Sequence, residues 1–95
     1  MKFLAIEKEI RPIDPDTECL ILREEAKALY DLYRDRYVRE YYFNQDHEAV
    51  LILECSSTDE CSALLQCLPL VKQKLIRFEL MELKPYTGFE RLFDF

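Results

Sequence analysis

Several residue types are scarce in this sequence, and each shortage excludes a class of function. The chain has a single glycine, Gly88, so it cannot build the glycine-rich loops that cradle nucleotide phosphates. It has a single histidine, His47, and its cysteines include no C-x-x-C pair, whereas a metal site needs about three or four convergent ligands. We therefore expect no metal ion and no nucleotide bound through a phosphate loop.

Basic residues and long apolar runs are also in short supply. The 13 Lys and Arg residues are outnumbered by 19 Asp and Glu, which gives a net charge of -6. An acidic chain repels phosphate backbones and anionic lipids, so we expect no nucleic-acid partner and no membrane. No segment approaches the roughly 18 apolar residues of a membrane span. Glu7 and Glu9 come too early for a secretion signal, so the sequence predicts a cytoplasmic location.

What the sequence does contain is typical of one small folded domain covering residues 1–95. Its apolar fraction is 49% and its aromatic fraction 13%, which together argue against disorder. The spacing of Cys19, Cys55, Cys61 and Cys67 gives no support for disulfides. We predict reduced, mostly buried thiols that behave as small hydrophobic side chains.

Hydrophobic periodicity predicts four strands and two helices in the order β-α-β-β-α-β. The strands fall at about 2–10, 38–43, 49–55 and 75–83, and the helices at about 20–37 and 57–68. The last strand, LIRFELMEL, alternates apolar and polar residues, and Ser57 with Glu60 forms a capping box at the start of the second helix. The order predicts a ferredoxin-like α+β fold with a four-stranded antiparallel sheet and both helices on one face.

A sheet with helices on one face leaves its other face open. Alternation counted along the strands assigns to that open face Phe3, Ala5, Tyr41, Phe43 and Met81. We predict that a second subunit stacks its own open face there, which makes an α/β barrel from two chains. The aromatic tail after Pro85, YTGFERLFDF, is predicted to dock on another surface, since an exposed apolar tail is a liability for a monomer.

The candidate site residues are assigned to the same open face. They are Glu7, Arg39, Tyr41, Arg77 and Glu79. In an apolar cavity, Glu7 or Glu79 could act as a general base, Arg39 or Arg77 could hold a substrate carboxylate, and Tyr41 could donate to a developing enolate. The alternative is that these charges form ion pairs at the rim of a dimer interface.

Two other residue types are predicted to have no chemical role. His47 lies in the polar NQDHE turn, where we expect it to be solvent-exposed. Tyr30 and Tyr33 occur at helical spacing with the apolar residues of the first helix, so we interpret them as packing.

The segments YDLY, VREYYFNQD and LPLVKQKLIRFELMELKPYTGFERLF resemble the muconolactone isomerase-like group of the dimeric α/β-barrel superfamily, which also includes YciI-like proteins. The resemblance extends over about residues 22–93. It implies a homodimer or larger ring, a small-molecule pocket, and no metal or organic cofactor. Three functions stay open: a cofactor-free isomerase or related lyase acting on a small carboxylated or lactone-like molecule, a non-catalytic ligand-sensing or carrier module, and a purely structural oligomer.

Overall fold

The computed structural model describes residues 1–93, and the last two residues of the predicted tail lie outside this range. The strands are β1 (Lys2–Glu9), β2 (Val38–Phe43), β3 (Ala49–Glu54) and β4 (Ile76–Leu83). The helices are α1 (Cys19–Arg34), α2 (Thr58–Gln66) and α3 (Pro69–Lys72), and a final 3-10 turn spans Gly88–Leu92.

The four strands form one antiparallel sheet in the order β2-β3-β1-β4. This order, with α1 and α2 as crossovers, is the ferredoxin-like α+β arrangement, and it confirms the predicted fold class. The prediction differs at two ends. Helix α1 stops at Arg34, because Arg36 adopts a left-handed backbone with φ of 71°. Pro69 starts the short helix α3, since proline fits the first turn of a helix, where its missing N–H is not needed.

The core lies between the sheet and the helices. Its centre is formed by Phe3 and Ala5 of β1 with Leu51 and Leu53 of β3, all essentially inaccessible to solvent. Phe3 lies opposite Leu53 and Ala5 opposite Leu51, and opposed residues point to the same face of a sheet. The prediction that Phe3 and Ala5 lie on the open face is therefore wrong, because both alternate sets of β1 are apolar and periodicity could not choose between them.

The face away from the helices carries the other alternate set. It includes Leu4, Ile6, Val50, Ile52 and Met81, as the strand register requires. The predicted position of Met81, 60% exposed, is confirmed. We call this surface the open face.

Simple alternation assigns the residues of strand β2 to the wrong faces of the sheet, because the strand contains a register shift between Val38 and Glu40. After that shift, Tyr41 pairs with Leu51 and Phe43 with Ala49, which turns both aromatic rings to the helix side. The prediction that Tyr41 and Phe43 lie on the open face is therefore wrong.

The predicted capping box at the start of α2 is confirmed. The Ser57 hydroxyl accepts a hydrogen bond from the Glu60 N–H at 3.0 Å, and the Glu60 carboxylate accepts one from the Ser56 N–H at 2.9 Å. The Ser57 bond satisfies one of the amide groups that a helix start leaves without partners, and the Glu60 bond fixes the residue before the cap. Below this cap, Cys61, Leu65 and Leu68 are buried.

Replacement of Ser57 by alanine is expected to lower the free energy of unfolding by about 1 kcal/mol. The midpoint of urea unfolding, followed by circular dichroism, measures this loss. Ser56→Ala is the matched control, since it keeps the backbone N–H that Glu60 binds. Equal midpoints for the two variants would contradict a capping role for Ser57.

The cysteines divide into two classes. All four are free thiols, with Cys55 and Cys61 buried and Cys19 and Cys67 exposed. The prediction of reduced thiols is consistent with this, but burial holds for only two of them. Removal from solvent, together with the neighbouring Cys55 thiol, raises the pKa of the Cys61 thiol to about 12.

Candidate functional site: a cavity between the first helix and the sheet

Helix α1 does not seal its apolar side against the sheet, and a cavity of about 690 Å³ lies beneath it. No residue of α1 is fully buried, and its apolar side chains Leu22, Ala26 and Leu29 line the cavity from above. Val38, Ala49 and Phe78 line it from the sheet. The volume lies within the range of about 300–1,000 Å³ that is usual for small-molecule sites.

Four acidic residues line this cavity, and two of them, Glu7 of the sheet and Glu25 of α1, also bind backbone N–H groups. Glu7 comes from β1 and its carboxylate accepts a hydrogen bond from the Ala49 N–H at 3.2 Å. Glu25 comes from α1 and accepts a hydrogen bond from the Leu70 N–H at 2.9 Å. The Leu70 amide is in the first turn of α3 and has no partner within that helix, so Glu25 also fixes α1 relative to α3.

The Glu25 carboxyl lies in an environment that disfavours its charged form. Burial raises its pKa above the ordinary value of 4.5, the Leu70 N–H opposes this by stabilising the charged form, and the negative charge of Glu7 raises it further. A carboxyl with a raised pKa gives and takes protons closer to neutral pH than an ordinary one does.

Aromatic rings form the third component of the cavity. Tyr33 and Tyr41 meet edge to face with ring centroids 5.2 Å apart, and Tyr30 is 6.3 Å from Tyr33. Tyr30 and Tyr33 are 61% and 44% exposed, so the interpretation of these two as packing residues is wrong. His47 is exposed in its turn, as predicted. Its ring also stacks on the Phe43 ring, with centroids 4.1 Å apart, and lines the cavity.

The five predicted site residues do not share one face of the sheet, which corrects the sequence-based assignment. Glu7 and Tyr41 line the cavity. Arg77 and Glu79 lie on the open face, where Arg77 pairs with Lys8 and Glu79 with Ile6 of β1. The Arg77 guanidinium is 3.4 Å from the Glu79 carboxylate.

The fifth predicted residue, Arg39, lies in the register shift of β2 and is exposed. Its Nε donates a hydrogen bond to the Arg36 carbonyl at 2.6 Å. Neither Arg39 nor Arg77 is among the residues that line the cavity, so the geometry brings neither guanidinium together with Glu7 and Tyr41. For Arg77 and Glu79, the observed contact matches the alternative interpretation as an ion pair.

Glu25 was missed by the sequence analysis, although a signal for it exists. Glu25 lies three residues after Leu22 and four before Leu29, which places a carboxyl group inside the apolar stripe of the helix. A charged residue at such a position is either paired or faces a cavity. Searching the apolar stripe for charged residues would have identified it.

Within residues 1–93 no group of three or more His, Cys, Asp or Glu side chains is arranged to hold a metal ion. The same residues include no helix that is both long and apolar enough to cross a membrane.

Comparison with solved structures identifies proteins that share this fold. A crystal structure of muconolactone isomerase superimposes with a TM-score of 0.77, at 18% sequence identity, over 93% of this chain and 93% of that chain. The chain has the muconolactone isomerase-like fold. The predicted resemblance is thereby confirmed at the level of the fold.

A second structure with the muconolactone isomerase-like fold matches as well. It is 5-chloro-2-hydroxyhydroquinone dehydrochlorinase (TftG) from Burkholderia phenoliruptrix AC1100 in complex with 2,5-dihydroxybenzoquinone. Its TM-score is 0.69 and its identity 19%, and the match covers 93% of this chain and 98% of that chain. No protein-family model and no curated protein sequence matches the chain.

Proposed function

We propose that the cavity under α1 binds a small organic molecule and that Glu25 transfers a proton on it, as in a cofactor-free isomerase or lyase. The observation that carries this proposal is a carboxyl group with a raised pKa inside an aromatic-lined cavity of about 690 Å³. Perturbed titratable groups in clefts are characteristic of functional sites. Glu7 and Tyr41, both candidates from the sequence, belong to the same cavity.

The chemistry available to this cavity is proton movement next to a carbonyl. The Glu25 carboxylate takes a proton from the carbon beside the carbonyl, and the electron pair of that C–H bond moves into the carbonyl to give an enolate. The Tyr41 hydroxyl, from a β2 residue that lines the same cavity, donates a hydrogen bond to the enolate oxygen. Return of the proton from Glu25 to a different carbon shifts the double bond, with all atoms retained.

The structural neighbours support a small cyclic substrate. One is an isomerase named for a lactone, and the other was solved with a dihydroxybenzoquinone. Both names refer to small oxygenated molecules, and a cavity of about 690 Å³ accommodates molecules of that size. We propose a substrate with an enolisable carbonyl group for this protein.

A neutral unsaturated lactone provides a direct test. In α-angelica lactone, proton transfer through a dienolate moves the double bond into conjugation, which is followed by ultraviolet absorbance. Saturable acceleration by the protein, with incorporation of deuterium from D2O into the lactone, would support the proposal. Binding without acceleration would indicate a non-catalytic ligand-sensing or carrier protein. If the protein neither binds the lactone nor accelerates its isomerisation, the result would favour a purely structural oligomer.

We also propose a homodimer, or a larger ring of dimers, built through the open face, in a cytoplasmic protein. The open face presents Leu4, Ile6, Val50, Ile52 and Met81 next to one another across three strands. Contiguous apolar patches of this kind mark protein–protein interfaces. The rings of Tyr86 and Phe89 are exposed and contact each other edge to face, with their centroids 5.1 Å apart. They would be covered in such an assembly.

Replacement of Ile52 by lysine is expected to dissociate this assembly, because the ammonium group would be buried without a partner between two sheets. Size-exclusion chromatography with light scattering measures the mass at two protein concentrations. Leu20→Lys is the matched control, since Leu20 is an exposed apolar residue at the start of α1. A wild-type protein that elutes as a monomer would contradict the homodimer.

A further inference from the structure

The charge of the cavity restricts the ligand more tightly than its size does. We propose that the natural ligand is an organic cation, a small amine or quaternary ammonium compound, and that carboxylates are rejected. This inference rests on the proposed function in using the same cavity, and it requires no catalytic turnover.

The first argument is the balance of charges on the cavity wall. Glu7, Glu9, Glu25 and Asp46 contribute carboxyl groups to it, and no Lys or Arg is among its lining residues in the described part of the chain. An acidic protein surface alone would not be specific, but here the carboxyl groups surround a concave and largely apolar volume. Walls of low dielectric constant concentrate their field inside the cavity.

The basic residues that follow Glu7 and Glu9 in the sequence contact other carboxylates. Lys8 follows Glu7 but points to the open face, where its ammonium group contacts the Glu48 carboxylate at 3.3 Å. Arg11, two residues after Glu9, has its guanidinium 3.9 Å from the Glu18 carboxylate. Neither Lys8 nor Arg11 lines the cavity, so a cationic ligand there would meet carboxyl groups that these two residues do not pair with.

The second argument is the aromatic wall. Tyr33 and Tyr41 meet edge to face, with an interplanar angle of 81°, so each ring keeps at least one face free of this contact, and both residues line the cavity. The Phe43 ring, stacked on His47, lines the same cavity. Aromatic faces attract ammonium groups through the ring quadrupole, and cages of such rings bind quaternary ammonium ligands in other proteins.

The negative charge of the cavity also affects the pKa of Glu25 itself. Burial is the main cause of the raised Glu25 pKa, and the Glu7 charge raises it further, so a second negative charge beside Glu7 is disfavoured. A ligand carboxylate would add to this repulsion, whereas an ammonium group would relieve it. An enolisable substrate of this protein would therefore carry an amine near its carbonyl group.

Three probes of one size and three charges test the inference. Phenethylamine, phenethyl alcohol and hydrocinnamate share a phenyl ring on a short linker and are positive, neutral and negative near neutral pH. Calorimetric titration of the full chain at low salt is expected to show phenethylamine binding about tenfold or more tightly than the alcohol, with no detectable binding of hydrocinnamate. Added salt should reduce the difference, because it screens the carboxylates.

Variants identify the source of the preference. The double variant Glu7→Gln, Glu25→Gln removes two of the four cavity carboxyl groups and is expected to show a clearly smaller preference for phenethylamine over the alcohol than the wild type does. The control Glu24→Gln, Glu90→Gln removes the same amount of charge from positions that do not line the cavity and should keep the preference. If the control loses the preference as fully as the cavity variant does, the preference comes from net charge and the inference is wrong.

The remaining outcomes separate this inference from the proposed function. Equal binding of amine and alcohol, or tighter binding of hydrocinnamate, would overturn the inference while leaving a functional small-molecule cavity. Isomerisation of the neutral lactone without any amine binding would also overturn the inference and keep the proposed chemistry. Amine binding without lactone turnover would support the inference and count against proton transfer by Glu25.

Discussion

The Glu25→Gln variant is expected to lose about 10²–10⁴-fold of the lactone isomerisation rate, the usual contribution of a positioned general base. Glutamine keeps the shape of the side chain and an oxygen that can accept the Leu70 N–H bond, which is 2.9 Å in the wild type. It cannot take up a proton. Comparison of kcat and KM for wild type and variant measures the loss, and a fall in kcat with little change in KM is the expected pattern.

The same substitution should change stability in the opposite direction, and this separates chemistry from misfolding. Below the ordinary pKa of 4.5, Glu25 is protonated in both the folded and the unfolded chain and has no effect. As the pH rises above 4.5, the unfolded chain ionises first, because the folded pKa is raised, so the wild type loses stability until the folded pKa is passed. The variant has no such loss and should be more stable than the wild type at neutral pH.

Glu24→Gln is the matched control for both measurements. Glu24 is the preceding residue of α1, is exposed, and does not line the cavity. It should retain wild-type kinetics and a wild-type dependence of stability on pH. Full activity in Glu25→Gln would remove Glu25 from the mechanism and leave Glu7 as the candidate base.

The Phe3→Ala variant is expected to lose about 3–5 kcal/mol of unfolding free energy, the usual cost of removing a buried phenylalanine ring. Phe3 is 0% exposed and lies at the centre of the core beside Leu53. Small domains are stable by only about 5–15 kcal/mol in total, so the loss is a large share. Urea unfolding at fixed protein concentration, followed by circular dichroism, measures it.

Phe43→Ala provides the comparison for this core substitution. Phe43 is on an edge strand and 63% exposed, so its ring is removed at a cost of about 1 kcal/mol or less. The pair tests the strand register as well as the core, because the sequence-based assignment put both rings on the open face. Similar losses for the two variants would contradict the register of β1 and β2.

The accuracy of sequence analysis for this fold depended on how different the two faces of each element are. In β4, Ile76, Phe78 and Leu80 alternate with charged or flexible residues, and their assignment to the helix side is correct. In β1 both sets are apolar, so the pattern held no information about which one faces the helices. In β2 a register shift after Val38 exchanges the faces to which the later residues point, and nothing in the local composition marks this shift.

The candidate site was harder to predict because it depends on a distance between elements. Periodicity predicts which side of α1 faces the sheet, but the height of the helix above it is set by tertiary contacts such as the bond between Glu25 and the Leu70 N–H. Residues that line the resulting cavity, Tyr30 and Tyr33 among them, have the spacing of ordinary packing residues. Glu7 and Tyr41, two of the predicted site residues, line this cavity, although the face of the sheet assigned to them was wrong.

The unequal burial of the thiols also supplies an internal reporter of unfolding. The chain has no tryptophan, so the usual fluorescence signal is missing. A maleimide dye should react rapidly with the exposed Cys19 and Cys67 and slowly with the buried Cys55 and Cys61, because the thiolate is the reactive form and burial raises both of their pKa values. Mass spectrometry would therefore count two labels on a folded chain and four on a chain that has opened, molecule by molecule.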